Sequence, residues 1–301
     1  MKSTLTVVIN TKNSEKTLAR TLQSVQELKN IVIVDMKSRD KTVTIAKKHT
    51  DKVYSFDDVG YVEPARNFAI EKANTDWVLV VDADEEISAN LLQKIQELIT
   101  HKSDIVCYFI PRKNIIFGKW IEKTGWWPDF QPRLFKKECV TWQDEVHSVP
   151  QINGSVEYLP VDPEAAIIHH NYESVSDYIQ RLDRYTTITA EGQKSTKEFT
   201  TAGLIDSFSQ ELSRRLFYEK GVEEGLHGVG LSFLQSMYQV VTYLKTWEVS
   251  SQREATSPTS VSMAALEALR QDLSYWIADY KVKHTSFAQG LAWRIRRKLK
   301  I

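Results

Sequence analysis

WVLVVDADEE, residues 77–86, runs from five apolar positions straight into Asp82, Ala83, Asp84, Glu85 and Glu86. A short apolar run of this kind, bounded by polar residues, reads as a strand buried on both faces. Two similar runs come before it, LTVVIN at 5–10 and NIVIVD at 30–35. Between those two, SEKTLARTLQSV carries Leu18, Leu22 and Val25 at helical spacing, with Ser14 in front as an expected N-cap. After the acidic cluster, Ile87, Leu91, Leu92, Ile95, Leu98 and Ile99 form one helical stripe behind a second expected cap, Ser88. Strands alternating with amphipathic helices predict an α/β fold with a mostly parallel sheet and flanking helices. In such sheets ligands bind beyond the carboxyl ends of the strands, which is where the acidic cluster falls.

Composition narrows the classes. A chain of 301 residues with 42% hydrophobic content can bury one large core, and its 39 basic and 39 acidic residues give no surplus of charge for nucleic acid. Cys107 and Cys139 lie far apart and offer neither a disulfide framework nor a zinc knuckle. Met1 leads into LTVVIN without a charged leader, and no window is apolar for the length of a spanning helix. A cytoplasmic protein is the expectation.

The carboxylates suggest chemistry. Strand alternation would turn Asp82 and Asp84 to one side, where two hard oxygen ligands suit Mg2+ or Mn2+ holding a diphosphate. DADE also reads as an acidic cap for the following helix. Thr11, Lys12 and Asn13 follow the first strand as a polar cradle beside a helix start. Asp35 ends the second strand and can accept hydrogen bonds from a base or ribose, or serve as a turn residue before KSRDKT. Arg66 and Asn67 open the helix PARNFAI, and an arginine fork matches phosphate oxygens. Arg133 in QPRLFKK can reach a phosphate or an acceptor, or lie on a solvated face.

From Pro111 to Pro163 the chain is rich in aromatics and prolines, with short strands such as RLFKK and SVEYL following DIVCYFI at 104–110. Trp120, Trp126, Trp127 and Phe130 read either as a platform for sugar rings or as a satellite core. Helical patterns then occupy roughly 174–192, 197–220, 226–247, 261–281 and 285–299, with a polar linker at 250–260. The expected division is 1–192 as the catalytic domain and 193–301 as a helical C-terminal region. Between Leu226 and Leu244 apolar residues nearly encircle the helix, which requires cover by protein or lipid. Arg294, Arg296, Arg297, Lys298 and Lys300 beside Trp293, Ile295 and Leu299 suit anionic headgroups. Peripheral contact with the inner face of a membrane is one expectation, and a packing or oligomerisation domain the other.

VVINTKNSEKTLARTLQSV, IVIVD, the ARN segment and WVLVVDADE together resemble the family 2 glycosyltransferases. WPDFQPRLFKK, DEVHS, IIHHNYESVSDYIQRLDRYT and FYEKGVEEGLHGVGLSFLQSMYQVV are similar to a bacterial subgroup acting on lipopolysaccharide core or related envelope glycans. The resemblance implies a GT-A fold, a nucleotide diphosphate sugar as donor, inversion at the anomeric carbon, a divalent metal, and a glycan or lipid-linked hydroxyl as acceptor. It places Thr11, Asn13, Asp35, Arg66, Asn67, Asp82, Ala83 and Arg133 around the donor. It gives Asp82, Asp84 and His169 to the metal. His169 is favoured over its neighbour His170 by its offset from Tyr172, and two adjacent strand residues face opposite ways. Asp144 and Glu145 in WQDEVHS are the implied candidates for the base, with His147 beside them, because family members carry an acidic pair near this point. This chain continues with Val146, His147, Ser148 and Val149 before Pro150, where many members begin a helix.

Two rivals share the architecture. A sugar-nucleotide nucleotidyltransferase needs a glycine-rich loop for a triphosphate after the first strand, and NTKNSEKT has no glycine. A non-catalytic nucleotide- or glycan-binding protein of the same fold is distinguished by loss of the acidic residues, which this chain retains.

Overall fold

The computed structural model describes residues 5–143, 150–192, 199–250 and 259–300. The chain forms two compact units, one of residues 1–120 and 126–173, the other of residues 121–125 and 174–301.

The first unit is the α/β part. Strands β1 (Leu5–Thr11), β2 (Ile31–Asp35) and β4 (Trp77–Asp82) are parallel, and all their residues but Asp82 are buried. Their middles are apolar because helices cover both faces, and polar residues gather at their carboxyl ends. On one face Val7, Ile9, Leu79 and Val81 pack with Leu18 and Leu22 of α1 (Leu18–Ser24) and with Leu91 and Ile95 of α4 (Ala89–Thr100). On the other, Val8, Val34, Val78 and Val80 pack with Ala65, Ala69 and Ile70 of α3 (Glu63–Glu71). A short α2 (Thr42–Ala46) precedes the edge strand β3 (Val53–Ser55). Ser88 caps α4 through a 3.3 Å bond from the Leu91 amide. Ser14 does not cap α1, which starts later behind Thr17; its carbonyl instead accepts from the Thr17 and Leu18 amides.

The sheet continues through β5 (Glu85–Ile87), β6 (Ile105–Ile116), β7 (Lys119–Trp120), β8 (Asp129–Lys136), β11 (Ser155–Tyr158) and β12 (Ile167–Tyr172), and a two-stranded ribbon pairs β9 (Val140–Thr141) with β10 (Gln151–Ile152). Its order is β3-β2-β1-β4-β8-β6-β12-β5, with β7 and β11 also on β6. Strand β5 follows β4 after only Ala83 and Asp84, yet it pairs with β12 at the far end of the order. The sheet therefore curls until its last strand returns beside β4. Strand β6 is longer than DIVCYFI suggests and runs on through Pro111. Pro111 stands between Phe109, the last residue paired with β11, and Arg112, the first paired with β12. At that junction no neighbour on that side needs the missing N–H.

The second unit is helical: α5 (Val175–Gly192), α6 (Thr201–Ser213), α7 (Gly225–Val249), α8 (Thr259–His284) and α9 (Phe287–Leu299). Helix α5 packs with α7, so by contacts it groups with the helices that follow, although the sequence suggested a division at 192. Thr200 caps α6 by accepting from the Gly203 amide at 3.0 Å. Residues 121–125 join this unit through the Glu122 and Lys123 amides, which donate to Glu224 Oε1 at 2.8 and 3.1 Å. Within the chain itself α7 is covered on one face. Its buried face is Gly228, Leu231, Ser232 and Ser236, with both serine hydroxyls bonded to carbonyls one turn back, while Leu226, Phe233, Met237 and Leu244 are exposed. A face of small residues lets helices approach closely and leaves the bulky side chains outside. Among the described residues, no helix is long and apolar enough to cross a membrane.

Candidate functional site

At the carboxyl edge of β1, β2 and β4, Thr11 is in register with Asp35, and Asn10 stands between Val34 and Asp82. Asn10, Thr11 and Asp35 are all buried. Asp35 divides its work: Oδ2 accepts the Ser38 amide at 3.0 Å and holds the turn, while Oδ1 meets no donor among the described residues. The Thr11 hydroxyl and both ends of the Asn10 amide are equally without partners, as is Nε of Arg66. Buried polar atoms are ordinarily satisfied, so these groups, three at the carboxyl ends of strands and Arg66 on α3, mark that edge of the sheet as a place for a polar ligand. Asn13 is used differently. It sits at φ 49°, accepts the Arg39 amide at 2.9 Å and donates its own to Ser38 Oγ at 2.8 Å, tying the loops after β1 and β2 together.

A chain of charges begins at Asp82. Its Oδ1 receives Arg66 Nη2 at 2.9 Å, its Oδ2 receives Arg133 Nη2, and its amide donates to Glu85 Oε2 at 2.9 Å. Oε1 of the fully buried Glu85 takes Arg133 Nη2 at 2.8 Å and Arg112 Nη1 at 3.1 Å. Arg112 then grips Asp129 Oδ2 with Nε at 2.8 Å and Nη2 at 2.6 Å. Three arginines thus face three carboxylates, and the cluster balances. Burial works against ionised Asp82, but Arg133 and then Arg66 outweigh it and hold the pKa far below the usual carboxylate range. Burial likewise opposes the Arg133 cation, and Asp82 and Glu85 more than restore it. For Arg66, burial exceeds the pull of Asp82 and the pKa falls.

The same network ends at Asp84. Asp129 Oδ2 accepts Asn114 Nδ2 at 3.1 Å, and that nitrogen also donates to the Trp126 carbonyl at 3.0 Å. With both acceptors on one side, the fully buried Asn114 must turn its oxygen to His169 Nδ1, 2.7 Å away. Nδ1 then carries a proton, and Nε2 lies 3.6 Å from Asp84 Oδ2. His170 points elsewhere and meets Glu86 Oε1 at 2.5 Å. Ala83 and Asp84 form a turn rather than continuing the strand, so alternation does not bring Asp82 and Asp84 to one side. Asp82 faces arginines, and Asp84 faces His169. No group of three or more His, Cys, Asp or Glu side chains suited to a metal occurs among the described residues. A carboxylate with an oriented imidazole nonetheless fits a divalent ion that takes its remaining ligands from a diphosphate.

Ala83 is buried, and its carbonyl accepts from Thr21 Oγ1 at 3.0 Å. Asn67 spends its amide on the backbone of Trp142, donating to the carbonyl at 2.8 Å and accepting the amide at 3.1 Å, and the Arg66 guanidinium lies 5.3 Å from the Trp142 ring centre. Asp144, Glu145 and His147 lie outside the described residues. The aromatics form pairs rather than one platform: Trp120 with Trp127, Trp126 with Tyr172, and Phe130 with Tyr158. Asn10, Arg112, Asn114 and Asp129 join the site without having been singled out, and Glu85, read only as one of the acidic cluster, proves to be the carboxylate on which two arginines meet. Of the four, Asn10 alone carried a local signal, as the polar residue that ends an apolar strand.

A family model described as glycosyl transferase family 2 matches residues 6–151. An uncharacterised glycosyltransferase of Rickettsia prowazekii is 39% identical over 279 residues, covering 87% of this chain and 93% of the relative. The lipopolysaccharide core biosynthesis glycosyltransferase LpsC of Rhizobium meliloti is 27% identical over 111 residues, 35% of this chain and 41% of that one. Among solved structures, TarS 1–349 of S. aureus in complex with UDP-GlcNAc aligns over 98% of this chain and 90% of its own, with a TM-score of 0.44 and 16% identity.

Proposed function

Since the chain belongs to glycosyl transferase family 2, we propose that it inverts configuration while moving a sugar from a nucleotide diphosphate sugar to a hydroxyl of a glycan or lipid-linked acceptor. The buried, unpartnered polar atoms of Asn10, Thr11, Asp35 and Arg66 carry this reading. Asp35 Oδ1 accepts from the base or ribose, and Asn10 and Thr11 supply further polar contacts. Arg66 keeps one face of its guanidinium on Asp82 and offers Nε to the diphosphate. Arg133 balances Asp82 and Glu85 and so holds the cluster in shape.

Asp84 and His169 hold Mn2+ or Mg2+, with Asp82 orienting the arginines rather than ligating. When bound, the ion neutralises charge on the departing diphosphate. Asn67 acts from behind, fixing Trp142 two residues ahead of Asp144. Asp144 or Glu145 takes the proton from the acceptor hydroxyl as its oxygen bonds to the anomeric carbon. The bond from that carbon to the diphosphate oxygen breaks, and the nucleoside diphosphate leaves with the electron pair.

A thermal-shift panel of UDP, GDP, CDP, ADP and dTDP, each with and without Mn2+, tests the reading on the wild type, Asp35→Ala and Asp84→Ala. One diphosphate should stabilise the wild type in a metal-dependent way, with both variants losing that response. Equal stabilisation of wild type and Asp84→Ala would remove the metal assignment. Silence across the panel, repeated with the matching nucleotide sugars, would remove the donor site.

A further inference from the structure

The C-terminal helix α9 is built inside out. On a helix of 3.6 residues per turn, Phe287, Leu291, Ile295 and Leu299 advance by about 40° per step and together span an arc of about 120°. All four are exposed, at 73%, 56%, 55% and 57%. The face turned inward instead carries buried Gly290 and half-buried Trp293, Arg294 and Arg297. Arg297 anchors it, reaching buried Asp279 of α8 at 2.8 Å. An amphipathic helix in a water-soluble unit normally buries its apolar arc, so this one directs that arc at something else.

Charge identifies the occupant. After Asp279 the chain has no Asp or Glu, although its 39 basic and 39 acidic residues balance overall. Arg294 borders the apolar arc on one side, with its guanidinium 4.2 Å from the Phe287 ring centre, exposed Lys298 falls just inside that edge between Phe287 and Leu291, and Arg296 lies beyond the other border. A second copy docking here about a two-fold axis would press like charges together. An anionic bilayer meets both features, taking the arc among its acyl chains and the flanking cations at its headgroups.

We infer that α9 is an in-plane anchor for an anionic lipid surface. The helix lies along the interface, with Leu291 and Ile295 at the centre of the inserted arc and the cations extended to either side. This inference stands apart from the sugar-nucleotide reading, since binding needs neither donor nor metal.

Flotation of the full chain with phosphatidylcholine vesicles, with and without 30 mol% phosphatidylglycerol, tests it. The wild type should float only with the anionic vesicles, and less as salt is raised. Leu291→Glu with Ile295→Glu should lower partitioning at least tenfold while circular dichroism stays unchanged, because both side chains are already exposed. Arg296→Glu with Lys298→Glu should do the same. A wild type that stays at the bottom of the gradient overturns the inference. Flotation lost with the charge variant but untouched by the apolar one also overturns it, in favour of a polyanion site. If the apolar variant instead converts a stable dimer to monomer in light scattering, the arc belongs to a second copy.

Discussion

Replacing Glu85 with Gln changes a few atoms and should be among the most damaging single substitutions in the first unit. Glu85 is fully buried, and its carboxylate serves Arg133 at 2.8 Å, Arg112 at 3.1 Å and the Asp82 amide at 2.9 Å. A glutamine keeps one acceptor oxygen. If that oxygen faces the arginines, the side-chain NH2 opposes the Asp82 amide; if it is flipped, the NH2 opposes two guanidiniums. Leaving a buried donor unsatisfied costs about 1–3 kcal/mol, and stripping one partner from a buried ion cluster costs about 3–5 kcal/mol. The two overlap, so a loss of about 3–5 kcal/mol is expected. Glu86→Gln is the internal control. The adjacent carboxylate is about a quarter exposed and meets Arg20 at 2.9 Å and His170 at 2.5 Å through one oxygen, which a glutamine carbonyl can replace, so the change should cost about 1 kcal/mol or less. Urea unfolding followed by tryptophan fluorescence measures both. Equal, small losses for the two variants would refute the argument that the arginine cluster depends on Glu85.

Three further outcomes follow from single contacts. Asn114→Leu should release His169 from its Nδ1–H form, seen in nitrogen-15 histidine spectra of the metal-free protein, and weaken Mn2+ binding about 10- to 100-fold; an unchanged tautomer refutes it. Asp35→Asn keeps an acceptor for the Ser38 amide but puts a donor where Oδ1 was, so calorimetry should show nucleotide affinity falling about 10- to 100-fold with little change in stability. Burial pushes the Cys107 thiol up to about 12 from its ordinary value of 9.0. The unfolded chain therefore ionises this thiol first, and the folded state loses stability as pH rises from about 9 towards 12. Cys107→Ala should flatten the alkaline side of the stability curve, and in the native protein at pH 8 half-buried Cys139 should react with a thiol reagent well before Cys107.

The central strands and the acidic turn were legible because their signals are local: unbroken apolar runs that stop on a polar residue. The network behind them was not, because it depends on which strands become neighbours. Arg112 and Asn114 lie beyond Pro111, where a proline suggested that the strand had ended. Only the pairing of β6 with β8 brings Arg112 opposite Asp129, and only its pairing with β12 sets His169 beside Asn114. The inverted polarity of α9 was hidden for a similar reason. The sequence shows an apolar arc and a basic rim, but the side that meets α8 is the one carrying Gly290 and Arg297, which pairs with Asp279 on the preceding helix.

The two-residue turn of Ala83 and Asp84 bears on how this chain can change over generations. Surface turns ordinarily accept an inserted residue at small cost, and relatives drift apart there first. Here the turn links β4 to the strand that closes the curled sheet on β12, and it separates the carboxylate held by arginines from the one facing His169. One added residue would slide Glu85 out of reach of Arg112 and Arg133 and shift the β5–β12 pairing together. Length at this point is under the same constraint as residue identity. Variation in size is better absorbed by a connection such as residues 160–165, exposed or half-buried, between two strands lying along the same side of β6.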